Sequence, residues 1–172
     1  DNMIAYNQKC ERQFFQKYHL LLGGIYTYSG QLDKAIDILE NSLKNKYSSL
    51  DTIQYLNTKI NLCIFYFYKK DYQKTISIFL KMEHSDTWYT KNMGQESLLK
   101  KQLLEIMIHY ELANTDYVET RVKSVKRVHD NLFHRPPYHR AKSFLTLLNR
   151  LNNNPFLATT SEFSELVSTS FD

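Results

Sequence analysis

Residues 22–39 read LGGIYTYSGQLDKAIDIL, and 40 residues on, 62–79 read LCIFYFYKKDYQKTISIF. Leu22-Gly23-x2-Tyr26 returns as Leu62-Cys63-x2-Tyr66, Gly30 as Lys70, and Ala35-x3-Leu39 as Thr75-x3-Phe79. In the first copy Leu32, Ala35, Ile36, Leu39 and Leu43 recur at the 3.6-residue period of an amphipathic helix. Gly30 stands just before that helix, where a tight helix–helix turn needs a permissive backbone. The pattern therefore reads as a helical hairpin, repeated. The small residue, Gly23 or Cys63, lets the two helices approach, and Ala35 and Thr75 are its small counterparts on the second helix. The ring of Tyr26 or Tyr66 fills the space beneath. One such hairpin cannot bury all its apolar surface, so copies must stack.

The helical period continues outward from the repeat. Tyr72, Thr75, Ile76, Phe79 and Met82 form a stripe within 71–83. Asp116 and Glu119 have capping-box spacing ahead of a helix to 132 that carries Val118, Val122, Val125 and Leu132. Pro136 and Pro137 suit the start of a last helix, 137–151, whose stripe is Ala141, Phe144, Leu145, Leu148 and Leu151. Segments 8–29, 51–69 and 94–112 are apolar on more than one face, as sandwiched helices are. About seven antiparallel helices result, in units 8–46, 51–84 and 94–132 with a capping helix at 137–151. The domain spans 1–151, and 152–172 is a tail, partly disordered or holding one short helix capped by Thr159 and running to Val167.

The 172 residues are 42% hydrophobic with four Gly and three Pro, enough for a core and too few turn residues for a β-sandwich. Cys10 and Cys63 lack metal or disulfide spacing and read as free thiols. The longest apolar run, Ile60–Tyr68, cannot span a bilayer. The chain opens at Asp1 without an initiator Met, which reads as a truncated N-terminus, so an upstream address is left open and the cytoplasm is the default location.

The repeated residues resemble the tetratricopeptide repeat (TPR), in a divergent form of bacterial type, whose unit runs W-x2-L-G-x2-Y, then A, F and P. His19 and Lys59 occupy the tryptophan place, and Tyr47 the closing proline place of the first copy. The offset exceeds the family's unit by six residues, which the polar stretch 44–51 would absorb. A fainter third copy reads Ile106-Met107-x2-Tyr110, then Thr120-x3-Ser124, with one extra residue in the turn. The resemblance implies an all-α, TPR-like solenoid that binds a peptide or partner protein on its concave face. The groove places it implies are Lys17, Thr27, Tyr28, Asn57, Asn61, Phe67 and Tyr68, then Lys101 and Glu111. The family's carboxylate clamp would need Lys or Asn where Leu20 and Gly24 stand, so recognition of a chain terminus is not implied.

Chemistry is otherwise sparse. His129, His134 and His139 are five residues apart, which fits no helical ligand pair, so no metal or cofactor is expected. Cys63 sits at a packing position, Gly23-Gly24 lacks phosphate-loop spacing, and no enzyme is expected. Charge offers a competing site. The net charge is +4, but Arg121–Arg150 alone holds eight basic residues against Asp130. Arg121, Lys123, Lys126, Arg127, Arg135, Arg140 and Lys142 form a basic segment, 121–142, suited to nucleic acid or another acidic partner. Cations near a helix C-terminus also serve the helix itself.

Overall fold

The computed structural model describes residues 2–44 and 51–171, with side chains described for 10–44 (12, 13 and 16 apart) and 51–171. The polar stretch expected to absorb the insertion, with Tyr47, lies outside them. Every described element is helical: α1 (Asn2–Tyr28), α2 (Leu32–Lys44), α3 (Thr52–Tyr68), α4 (Tyr72–Phe79), α5 (Asp86–Glu111), α6 (Thr115–Val128), α7 (Asp130–Phe133), α8 (His139–Asn153) and α9 (Ser161–Phe171). Short 3-10 turns cover Pro136–Tyr138 and Pro155–Thr159.

These nine described helices exceed the expected seven for local reasons. The helix expected to run to 132 breaks at His129 (φ −106°, ψ 17°), which leaves α7 as a separate turn. The short helix after 159 runs on to Phe171, and its cap is Thr160, whose Oγ1 accepts from Phe163 N at 3.2 Å. The helix expected from 94 begins at Asp86, and Gly94 (φ 84°, ψ 162°) interrupts it instead of starting it. At that glycine the chain divides into two compact units, 1–93 and 94–172.

In the first unit α1 pairs with α2 and α3 with α4. Ala35, Ile36 and Leu39 of α2 pack with Leu62, Phe65 and Tyr66 of α3, and Leu20 and Tyr26 of α1 lie against them. Gly23 explains the closeness: a Cβ there would lie 3.2 Å from Leu39 Cδ2 and 3.5 Å from Phe65 Cε2. In the second unit Leu99 and Ile106 of α5 join Val118, Val122 and Val125 of α6, Leu132 and Phe133 of α7, and Leu145 and Leu148 of α8.

Three hairpin turns share one geometry. Gly30, Lys70 and Ala113 each take positive φ, at 73°, 61° and 56°. The next amide reaches back five residues every time: Gln31 N to Tyr26 O at 2.8 Å, Asp71 N to Tyr66 O at 3.0 Å, Asn114 N to His109 O at 2.9 Å. Gly30, Lys70 and Ala113 themselves donate to Thr27, Phe67 and Tyr110 O. These are paired Schellman bonds, which satisfy the last carbonyls of the first helix. The residue that follows then opens the second helix, its carbonyl accepting from Ala35, Thr75 or Val118 N.

This geometry corrects the third copy. Counting back from Ala113 as from Gly30 puts Gln102, Glu105, Ile106 and His109 in the places of His19, Leu22, Gly23 and Tyr26. Counting forward puts Val118 and Val122 in those of Ala35 and Leu39. The turn holds no extra residue, and the aligned pair Tyr110 and Thr120 is one and two residues out of register. Ile106, Val118 and Val122 are all buried, as Gly23, Ala35 and Leu39 are. The capping box is not made either: the cap of α6 is Asn114, and Asp116 falls inside the first turn.

Positive φ costs a residue with a Cβ about 1–2 kcal/mol that glycine does not incur. Lys70→Gly and Ala113→Gly are therefore expected to stabilise the fold by about 0.5–1 kcal/mol each, after glycine's larger unfolded-state entropy is counted, while Gly30→Ala destabilises it by a similar amount. Denaturant midpoints of the three variants check the signs.

Candidate functional site

The groove places of the first unit all fall on α1 and α3, the first helices of consecutive hairpins. Lys17 is exposed, Tyr28 is 97% exposed and Tyr68 62%. Thr27 is half-buried and donates its hydroxyl to Gly23 O at 2.9 Å. Asn61 Nδ2 donates to Asn57 O at 2.8 Å, one turn back on α3. The Phe67 ring leans on Tyr72 of α4, centroids 5.3 Å apart. In the second unit Glu111 is exposed at the end of α5, whereas Lys101 is buried and does not offer its side chain to a groove.

Beneath α1 and α3 the packing places are filled by polar groups with partners. Lys59, at the place expected from the resemblance to correspond to tryptophan, is buried; its Nζ donates to Lys81 O at 2.9 Å, just past α4, and lies 4.4 Å from the Tyr55 ring centroid. An ammonium there favours the carboxyl-terminal end of a helix while its stem packs as a hydrocarbon. Tyr66 OH donates to Glu40 Oε1 at 2.7 Å, and Lys74 Nζ stands 3.6 Å from the same oxygen, so α2, α3 and α4 are tied at one point. The phenol's hydrogen bond holds the Glu40 carboxyl below its ordinary 4.5, and burial, then Glu40, pushes the phenol up. Burial raises the Cys63 thiol to about 12, and its Sγ contacts Thr75 O at 3.6 Å. A thiol so protonated is packing, not a nucleophile.

In the second unit the third hairpin carries a polar cluster, with Glu105 and Arg121 at places that hold Leu22 and Ile38, then Leu62 and Ile78, in the first two. Glu105 Oε2 accepts from Arg121 Nε at 2.9 Å and Nη2 at 2.7 Å, and Oε1 accepts from Tyr117 OH. His109 packs tilted against Tyr117, centroids 4.0 Å apart, and meets Asn114 Nδ2 at 2.9 Å through Nδ1. An amide nitrogen donates, so this contact suits a neutral ring whose Nδ1 accepts. Burial depresses His109 below its ordinary 6.5, against a smaller opposing pull from Glu105. Because the folded value lies below the unfolded one, the imidazole's contribution is present above pH 6.5 and lost as pH falls through the folded value. Chemical-denaturation curves at about pH 7.5 and pH 5 are expected to show that loss, and His109→Phe to shrink it.

Several residues of the basic segment already have partners. Arg121 is engaged by Glu105, and Lys123 pairs with Glu119 one turn away. Lys126 Nζ donates to Thr146 Oγ1 of α8 at 2.7 Å; burial, then Lys142, depresses its pKa. Lys142 lies 3.7 Å and His134 3.6 Å from opposite oxygens of Asp130. Arg127, Arg135 and Arg140 are exposed. A cleft of about 470 Å³ gathers His134, His139, Lys142 and Arg150 over a floor of Phe133, Leu147 and Leu166. Arg150 also lines a neighbouring cleft of about 360 Å³ with Glu162 and Glu165 of α9. His129, by contrast, is buried with Nε2 2.8 Å from Gln102 Oε1, so the three histidines do not converge.

Among the described residues no group of three metal-ligating side chains occurs, and no helix is long and apolar enough to cross a membrane. Sequence reasoning misses two features. Arg150 counts toward the charge but has no place in the expected patch, although it stands on α8 two turns beyond Lys142 and lines the same cleft. The outer face of α1 is the other, although its signal is present in the sequence: Phe14, Tyr18, Leu21, Ile25 and Tyr28 alternate spacings of four and three. The chain matches no protein-family model, no curated protein and no solved structure.

Proposed function

We propose that the chain is a non-enzymatic TPR-like repeat module, its hairpins stacked as a solenoid, that binds a peptide or partner protein on the face shared by α1 and α3. The observation that carries this reading is the pair Tyr28 and Tyr68. They precede the same turn in consecutive hairpins, and both rings stand largely in water. A tyrosine with two rotatable side-chain torsions offers large contact area at low ordering cost, which suits a binding surface. Lys17, Asn57 and Asn61 on the same two helices supply polar contacts beside them. Affinity capture from source-cell lysate, with and without nuclease, tests the reading. A protein retained after nuclease and lost with the Tyr28→Ala/Tyr68→Ala double variant is the expected result. Retention unaffected by that variant, or lost with nuclease, contradicts it.

A second reading is favoured by the cleft that gathers Lys142, Arg150, His134 and His139: an acidic partner held on the second unit. Nucleic acid is a poorer fit, because Arg121 and Lys123 are already neutralised by Glu105 and Glu119, which shortens any phosphate track. Lys142→Glu/Arg150→Glu would abolish such binding and leave the tyrosine face untouched.

A further inference from the structure

Helix α1 is apolar on two opposed faces, and among the described residues the first unit covers only one. Gly23, Leu20 and Tyr26 face the core with α2 and α3. On the other side Phe14, Tyr18, Leu21, Ile25 and Tyr28 are 71%, 48%, 67%, 54% and 97% exposed. Their alternating spacing of four and three is the seam of a two-helix coiled coil. The rings of Phe14 and Tyr18 already stack, centroids 5.9 Å apart and planes 19° from parallel. Taking about 200 Å² for each large side chain, the exposed parts amount to roughly 700 Å². That exceeds the largest apolar patch usual on a monomer, about 300–600 Å², and comes close to the ~800 Å² that each partner contributes to a standard interface.

Gly24 gives a second, independent indication. It lies inside α1 beside the seam, and a Cβ built there meets nothing within 4 Å. A mid-helix glycine costs about 0.5–1 kcal/mol relative to alanine. Gly23 recovers that cost through Leu39, whereas Gly24 recovers it only if another backbone comes close.

We propose that the occupant is a second copy of this chain, packed antiparallel along α1 about a two-fold axis at Leu21. The seam reads almost alike in both directions, which a two-fold interface requires of a single surface. Phe14 of one copy then meets Tyr28 of the other, and Tyr18 lies over Gly24 and Ile25. Antiparallel packing also separates the two Lys17 ammonium groups, which a parallel pair would bring together. The dimer rests on the outer seam and stands apart from the groove reading; Tyr28 and Lys17 are common to both.

Sedimentation equilibrium of the full 172-residue chain tests it. The expected mass is twice 20.5 kDa, and Leu21→Asp is expected to weaken association at least 100-fold, since about 2.7 kcal/mol is lost when two charges face each other on the axis. Leu21 is largely exposed, so the variant keeps its helical circular dichroism. Leu21→Cys in a Cys10→Ser background is expected to form a symmetric disulfide under mild oxidation. A monomeric wild type, or a dimer that survives Leu21→Asp, overturns the proposal. Dimerisation of the Leu21→Cys variant without that cross-link overturns the antiparallel arrangement. Because Leu21 is not among the groove places, loss of the dimer with partner capture intact separates this inference from the proposed function.

Discussion

Leu39→Ala is expected to lower the stability of the first unit by about 2–5 kcal/mol, toward the upper part of that range. Leu39 is fully buried, and the nearest wall on α1 is Gly23, which has no side chain that could fill the space left behind. The complementary variant, Gly23→Val, is expected to cost about 1–3 kcal/mol, because the added carbons collide with Leu39 and Phe65. The two changes should not add. Valine at 23 occupies the volume vacated at 39, so the double variant is expected to be more stable than the sum of the singles by at least about 0.5 kcal/mol. Urea titration of the four proteins measures this coupling, and strict additivity would show that the two helices do not meet there.

The second large effect lies in the third hairpin. Glu105→Ala is expected to cost about 1–3 kcal/mol, because Arg121 and Tyr117 lose their shared acceptor. The cost stays below that of breaking a fully buried pair, since both charged side chains retain some exposure. The first two hairpins carry Leu22 and Leu62 at the equivalent place. Glu105→Leu with Arg121→Met is therefore expected to recover most of the loss, an apolar pair replacing an ionic one of similar volume. Glu105→Leu alone should fall near Glu105→Ala. A double variant no better than the single would mean that the ion pair holds the hairpin by more than packing.

The first two hairpins are legible in the sequence because their signals agree. Gly30 marks a tight turn, the stripe Tyr72, Thr75, Ile76 and Phe79 marks α4, and small residues mark the close approach. The third reads out of register because its marks are of the wrong type. Ala113 holds the left-handed position, Ile106 and Val118 fill the small places, and Tyr110 stands one residue from where His109 does the ring's work. The break at His129 has no glycine or proline beside it. It arises where the imidazole is taken into the core against Gln102, a tertiary demand that no local pattern announces.

The candidate surfaces are legible in a similar proportion. Of the expected groove places Tyr28 and Tyr68 lie in water, whereas Lys101 is buried. The density of Lys and Arg along 121–142 takes no account of the acidic partners that Arg121 and Lys123 find. Charge counted along a chain ignores Glu105, which lies 16 residues before Arg121 in sequence yet within hydrogen-bond distance in space.

The interaction reading stands on the repeat, and the repeat stands on three matching turns. Nuclear magnetic resonance of the full chain tests them most directly, through the intraresidue amide–Hα cross-peaks at Gly30, Lys70 and Ala113 together with exchange of the Gln31, Asp71 and Asn114 amides. Positive φ brings the amide proton close to Hα, so strong cross-peaks at Lys70 and Ala113 and slow exchange at all three following amides are expected. A weak cross-peak at Ala113, with a fast-exchanging Asn114 amide, would show that the third hairpin turns differently and that the repeat ends after two copies.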